Sequence, residues 1–140
     1  MATELNLEKE SDEKYRAWLE DRHNPLLQTD VWITLRHVLD NKPKDWKALT
    51  RLAYVSRYMN YGYDYAIEFA KKTLELKPNN NLIKLFMADT FYEWGLGIQN
   101  REKIKEALEK YDEIFRENPT FSYFNHITNK KRLCIKKLYG

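Results

Sequence analysis

Three prolines, Pro43, Pro78 and Pro119, divide this 140-residue chain at spacings of 35 and 41 residues. A proline ends an α-helix because its ring clashes with the preceding turn and because it has no N–H to donate. Two segments with the apolar spacing of a helix lie one after the other before each of these three prolines. The sequence therefore predicts three pairs of helices, each closed by a proline.

The middle pair shows the clearest pattern. Asp45 is a predicted N-cap for a helix that runs to about Asn60, and Gly62 lies in the break that follows. The second helix of the pair covers residues 63–76. It is too short to enclose its own apolar face, so we expect the helix before it and the next pair to cover that face.

Similar pairs lie on either side. The sequence predicts a first, degenerate repeat at 12–45, a second at 46–80 and a third at 81–120, followed by a C-terminal capping helix at 121–140. The third repeat contains extra residues, placed around 96–101, that form either a loop, a helix extension or a binding lid. All of this is expected to form one domain.

The spacing of small and apolar residues within these pairs resembles the tetratricopeptide repeat, a helix-turn-helix unit of about 34 residues. The matching positions of the second repeat are Leu49, Leu52, Ala53, Ser56, Ala66, Ala70 and Pro78. Those of the third are Lys84, Met87, Ala88, Phe91, Ala107, Tyr111 and Pro119. Those of the first are Tyr15, Trp18, Leu19, Arg22, Val31, Leu35 and Pro43, with no small residue where the helices cross.

The resemblance implies an all-α fold, a right-handed superhelical stack of helix hairpins with about seven helices. In such stacks the first helices of successive pairs line a concave groove that binds a peptide or protein segment. The residues that the resemblance assigns to this groove are Lys47, Thr50, Tyr54, Arg57, Tyr58, Leu82, Leu85, Asp89, Tyr92 and Glu93, with Asn125, Asn129 and Arg132 on the capping helix. Packing of Tyr54 and Tyr58 between repeats is the alternative reading of those two tyrosines.

The sequence gives little support for catalysis or for a bound cofactor. The histidines His23, His37 and His126 lie in separate segments without metal-binding spacing, and no glycine-rich phosphate loop is present. Cys134 follows His126 by two helical turns, which favours a structural role for the thiol over a nucleophilic one. We therefore expect neither a metal nor a cofactor, and no enzymatic activity.

The charge distribution leaves two further hypotheses open. Residues 1–21 contain seven acidic and three basic side chains, whereas residues 120–140 contain five basic side chains and no acidic one. The basic C-terminal helix, with aromatic residues nearby, suggests contacts with nucleic acid. It also suggests a head-to-tail contact with the acidic end of a second copy, as in a self-assembling scaffold. The net charge of only +3 makes nucleic acid the weaker partner prediction.

The N-terminus is acidic and lacks the basic and apolar regions of a targeting peptide, and no apolar stretch has the length of a membrane span. A single cysteine is compatible with a reducing compartment. The sequence thus predicts a cytoplasmic adaptor that binds a protein or peptide partner and does not contact a membrane.

Overall fold

The computed structural model describes residues 4–60 and 62–140, and within these residues the regular structure is entirely α-helical. The helices in chain order are α1 (Glu4–Glu20), α2 (Pro25–Asn41), α3 (Trp46–Tyr58), α4 (Tyr63–Leu76), α5 (Asn81–Gly97), α6 (Arg101–Glu117) and α7 (Phe124–Tyr139). The prediction of an all-α fold with about seven helices is confirmed. The right-handed superhelical arrangement stays a prediction.

The three proline-terminated helices end in nearly the same backbone geometry. Lys42, Lys77 and Asn118, each directly before a proline, have φ of −133°, −133° and −146° and ψ of 79°, 73° and 76°. A residue that precedes proline is disfavoured from the helical region, so the chain leaves the helix at this position. Each of these residues still donates its N–H to the carbonyl oxygen four residues earlier. The prolines therefore set the helix ends, as the sequence predicts.

Several helices begin at a side-chain cap. Asp45 accepts hydrogen bonds from the backbone N–H groups of α3, and Asn24, Asn80 and Asn100 do the same for α2, α5 and α6. A capping oxygen satisfies N–H groups that have no partner within the helix. The predicted N-cap at Asp45 is confirmed.

The chain forms two compact units, Met1–Pro78 and Asn79–Gly140. The first contains α1 to α4, in which α2 packs against α1 and α3, and α4 packs against α3. Ala53 of α3 and Ala66 and Ala70 of α4 are fully buried, so small side chains allow these two helices to approach closely. The predicted crossing positions of the second repeat are thus buried.

The first repeat differs from its prediction at both ends of α1. The helix begins at Glu4, earlier than residue 12. Leu19, assigned to the helix crossing, is 37% exposed, whereas Trp18 beside it is 1% exposed and donates its indole N–H to the carbonyl oxygen of Arg22. The large indole ring of Trp18 thus occupies the interior of the unit, whereas the predicted crossing residue Leu19 does not.

The second unit contains α5 to α7, with α6 packed against both of the others. Ala88 and Ala107 are fully buried, and Gly95 lies so close to α6 that a Cβ atom there would come within 2.6 Å of the Ile104 side chain. The extra residues of the third repeat lengthen α5 and α6 and leave only Ile98–Asn100 between them, with Gln99 at a φ of 52°. Residues 96, 97 and 101 of the predicted insertion are helical and residues 98–100 form the turn between α5 and α6, so it is partly a helix extension and partly a loop.

Candidate functional site

The five predicted groove residues of the first unit all lie on α3 and all reach the surface. Lys47 is exposed, and the other four, Thr50, Tyr54, Arg57 and Tyr58, are half-buried. The spacing of Lys47, Tyr54 and Tyr58 places them on one stripe of the helix, together with Arg51. This stripe faces α1.

Side chains from α1 complete that surface. Arg51 pairs with the carboxylate of Asp12, and its guanidinium carbon lies 4.6 Å from the centre of the Tyr15 ring. The Arg51 guanidinium beside Asp12 lowers the pKa of that carboxyl below its ordinary value. Burial raises the pKa of the Tyr15 hydroxyl. Asp12 and Tyr15 are therefore held in defined positions by one arginine.

Arg22, which follows the C-terminal end of α1, also contacts aromatic rings, as Arg51 does. Its guanidinium lies 5.9 Å from the centre of the Trp18 ring and 5.7 Å from that of Tyr58, and it donates a hydrogen bond of 3.1 Å to the Tyr58 hydroxyl. Trp18 meets Tyr58 edge to face at 5.5 Å between ring centres. Cation and ring interactions of this kind contribute about 0.5–1 kcal/mol each at exposed sites.

These contacts define one surface, which we call the α1–α3 face. Its members are Asp12, Tyr15, Arg22, Lys47, Arg51, Tyr54 and Tyr58. Sequence reasoning found the three α3 residues Lys47, Tyr54 and Tyr58 and missed the remaining four. The acidic side chains of α1 could have suggested an ion pair with Arg51. Asp12 and Arg51 lie 39 residues apart in the sequence, however, so no local pattern connects them.

A cleft of about 130 Å³ opens beside this face, between α1, α2 and α3. It is lined by Glu8, Ser11, Asp12, Leu35, Val38, Asp45, Lys47, Ala48 and Arg51. Six of these residues are polar or charged, and the apolar Leu35, Val38 and Ala48 are at most 4% exposed. The Asp12–Arg51 ion pair belongs both to the cleft and to the α1–α3 face, so the two are continuous.

In the second unit, three of the predicted groove residues are buried or are contacted by side chains of other helices. Leu85 and Tyr92 are buried, at 6% and 8% exposure. Asp89 accepts a hydrogen bond from the Tyr111 hydroxyl, and its oxygens lie 3.0 and 3.1 Å from Nε2 of His126. The ammonium of Lys130 lies 4.7 Å from the centre of the Tyr92 ring. Side chains of α7 thus reach Asp89 and Tyr92, and these two residues serve packing within the unit.

The other predicted residues of the second unit are exposed. Leu82 is 51% exposed, and Glu93, Asn125, Asn129 and Arg132 are exposed as well. Arg132 donates a hydrogen bond of 2.7 Å to the side chain of Asn129. The structure thus brings Arg132 and Asn129 into contact.

The five basic side chains of α7 differ in their contacts. Lys131 pairs with Asp112 at 2.6 Å and lies 5.0 Å from the centre of the Phe115 ring, while Lys130 lies over Tyr92. Arg132, Lys136 and Lys137 are exposed. Two of the five basic residues are therefore already engaged inside the unit.

Cys134 is fully buried, and burial raises the pKa of its thiol to about 11. A thiol in this state is not a nucleophile at neutral pH, because the thiolate is the reactive form. His126 is bonded to Asp89 instead. Within the described residues, no group of three His, Cys, Asp or Glu side chains is arranged to hold a metal ion.

None of the helices in residues 4–60 and 62–140 combines the length and the apolar character that crossing a bilayer requires.

No known protein-family model matches the chain, and no curated protein matches it in sequence.

Proposed function

We propose that this protein is a non-catalytic protein-interaction module, an adaptor that binds a peptide or protein segment along the α1–α3 face. One observation carries the proposal: arginine and aromatic side chains from α1, the turn that follows it and α3 converge on a partly exposed surface where Arg51 lies over Tyr15 and Arg22 lies beside both Trp18 and Tyr58. Tyrosine, tryptophan and arginine are the residues that contribute most to binding at protein interfaces.

The contacts within the face also favour binding because they restrict these side chains before a partner arrives. Arg51 is held by Asp12 and Arg22 by the Tyr58 hydroxyl. A long side chain that is already ordered loses less conformational entropy when it forms an interface. A partner would therefore meet a surface whose largest side chains are already positioned.

The helix pairs support the same proposal through the resemblance to tetratricopeptide repeats, whose first helices bind partners. The pairs end at prolines in nearly the same geometry, and the crossing alanines of the second repeat are buried. Since function depends on the site and not on the fold, the resemblance supports only the choice of helix face. We place this activity in the cytoplasm.

Two other functions have less support. A nucleic-acid-associated regulator would use the basic α7, but Lys130 and Lys131 already contact Tyr92, Phe115 and Asp112. A self-assembling scaffold would pair α7 with the acidic α1 of a second copy, but Glu8 and Asp12 of α1 already form ion pairs with Lys42 and Arg51.

Selection from a random peptide library displayed on phage tests the proposal without a known partner. Wild-type protein should enrich a family of peptides, and the double variant Tyr54→Ala/Arg51→Ala should bind them about tenfold more weakly or worse, since interface tyrosines and arginines commonly contribute more than about 1 kcal/mol. Tyr92 is left unchanged because it is buried.

The matched control is Tyr65→Ala/Arg36→Ala, which removes the same two residue types from exposed positions on α4 and α2. It should bind the enriched peptides as well as wild type. Failure of wild type to enrich any peptide family, or equal losses in the two double variants, would contradict the proposal.

A further inference from the structure

We infer that the outer side of α7 is a second interaction surface, which binds an amphipathic helix of a partner protein whose apolar face is flanked by aspartate or glutamate. This surface belongs to the second unit, so the inference does not depend on the α1–α3 face of the first.

The outer side of α7 carries a row of apolar side chains. Phe124, Ile135 and Tyr139 are 45%, 47% and 72% exposed. Together with the exposed Thr128 they follow one another at intervals of four, seven and four residues, so they share one stripe of the helix. We call these four residues the α7 stripe.

The α7 stripe is not what holds the helix in its unit. Helix α7 packs into the unit through Ile127, Cys134 and Leu138, which are at most 4% exposed. A helix that ends a stack of helices normally turns a polar face to the solvent. The apolar stripe on the exposed side of α7 is therefore not used by the fold, and an exposed apolar patch of this kind marks a binding surface.

The charges beside the stripe determine the chemistry of the partner. Arg132, Lys136 and Lys137 are exposed, and none of the three has a carboxylate partner in the part of the chain that the structure describes. Arg132 and Lys136 lie four residues apart and form the row next to the stripe. A partner with carboxylates beside its own apolar face would complement both features.

These charges also disfavour a second copy of the chain. Residues 120–140 contain no acidic side chain, so two α7 helices placed together would bring like charges into contact. Helix α1 of a second copy is acidic, but Glu8 and Asp12 already form ion pairs and the first turns of α1 lack an apolar pattern. The partner is therefore a different protein.

The partial exposure of the stripe favours a helix over a lipid bilayer. Phe124 and Ile135 are about half covered by their own unit, and the Phe124 ring lies 4.9 Å from the centre of the Phe115 ring. A helix at a membrane surface buries its apolar face about 5–10 Å deep, which requires side chains that project freely. Half-covered side chains instead form the low ridges that fit between the side chains of another helix.

A phage-displayed library of single helices tests the inference on the full-length protein. Each helix carries leucine at positions i, i+4, i+7 and i+11, and the positions beside this row vary among glutamate, glutamine and lysine. Wild type should enrich helices with glutamate at the flanking positions and should deplete those with lysine. The affinity of one enriched helix is then measured by fluorescence polarisation.

Two double variants change the surface in different ways. Ile135→Ser/Tyr139→Ser removes apolar area from the stripe and should weaken binding of the enriched helix by at least about tenfold. Arg132→Glu/Lys136→Glu reverses the adjacent charges, so the library should then enrich lysine in place of glutamate. All four positions are exposed, and circular dichroism confirms that the variants fold.

Two further variants serve as controls. Lys44→Glu/Lys71→Glu makes the same change of charge at exposed positions of the first unit and should leave the enrichment of glutamate unchanged. Tyr54→Ala/Arg51→Ala alters the α1–α3 face and should bind the enriched helix as well as wild type does. Loss of binding in this variant, with binding retained in Ile135→Ser/Tyr139→Ser, would assign the helix to the α1–α3 face and overturn the inference.

Other results would also overturn it. Wild type could enrich no helix, or Arg132→Glu/Lys136→Glu could still enrich glutamate. A wild-type dimer in sedimentation that Ile135→Ser/Tyr139→Ser dissociates would assign the stripe to a second copy. Without enrichment of a helix, binding to vesicles of phosphatidylcholine and phosphatidylserine, or to single-stranded RNA, that both α7 variants lose would assign it to lipid or to nucleic acid.

Discussion

Helices α3 and α5 open their hairpins in the same way, yet their equivalent side chains have different environments. Tyr54 and Arg57 follow the crossing alanine of α3 at the spacing at which Asp89 and Tyr92 follow that of α5. The α3 pair is half-buried and reaches the surface. The α5 pair is contacted by side chains of α7, with His126 at Asp89 and Lys130 over Tyr92.

The difference shows that position within a repeat determines the direction of a side chain but not its exposure. A following helix can cover the surface that the first helix presents, and α7 does this for α5. Residues that a repeat pattern assigns to binding then become packing residues. Three substitutions, or sets of them, test this contrast between the two units, in order of decreasing effect.

The largest effect is expected at the equivalent positions Tyr92 and Arg57. Tyr92→Ala should lower the free energy of unfolding by about 3 kcal/mol, as truncation of a buried aromatic residue does. Arg57→Ala should lower it by less than about 1 kcal/mol, because that side chain is half-buried on the surface. Urea denaturation followed by circular dichroism measures both, and equal losses would show that the contrast does not hold.

An intermediate effect is expected at Asp89. Asp89→Leu removes the acceptor of the Tyr111 hydroxyl, which is buried, and should cost about 2 kcal/mol of unfolding free energy. Adding Tyr111→Phe removes the hydroxyl that donated to Asp89 and should restore part of that loss, so the double variant should be more stable than Asp89→Leu alone.

Tyr54→Leu, at the equivalent place on α3, serves as the control and should change stability by less than Asp89→Leu does. A double variant as unstable as the sum of its two single changes would mean that Asp89 and Tyr111 do not act as a pair.

The smallest effect is a dependence on pH in the first unit. Because Arg51 lowers the pKa of Asp12, the folded protein holds this carboxylate ionised more firmly than the unfolded chain does. The resulting stabilisation is present at pH values above the carboxyl pKa of the unfolded chain, and it is lost as the pH falls through the lower pKa of the folded state.

Asp12→Asn should therefore reduce stability near neutral pH and should flatten the decline of the urea midpoint as the pH falls from about 5 through the lowered pKa of the folded state. Glu13→Gln, an exposed neighbour on α1, is the control and should leave the shape of the decline unchanged. An unaltered acid profile in Asp12→Asn would show that the ion pair with Arg51 does not contribute.

The helix ends were predictable because their causes are local. A proline acts on the residue before it and Asp45 caps the turn after it, so both signals can be read within a few residues of sequence. The start of α1 was not predictable in this way. Its first turns are acidic and lack an apolar pattern, and Glu8 is paired with Lys42, which lies 34 residues further along the chain.

The candidate site likewise has a part that could be predicted from local sequence and a part that could not. The periodicity of α3 placed Lys47, Tyr54 and Tyr58 on one face, because helical spacing alone fixes that direction. Their partners on α1 depend on how the first repeat packs, and its alignment relied on Leu19, which is exposed. Side chains of α7 cover Asp89 and Tyr92, and the spacing of residues in the sequence does not predict those contacts.

The buried thiol of Cys134 has a practical consequence. It lies on α7, is fully buried and has a pKa of about 11, so an alkylating reagent can reach and react with it only when α7 moves away from the rest of its unit. Because the sequence contains one cysteine, the alkylation rate measures this local opening without an introduced label. The alkylation rate of Cys134 therefore reports how often α7, whose side chains cover Asp89 and Tyr92, detaches from the rest of its unit.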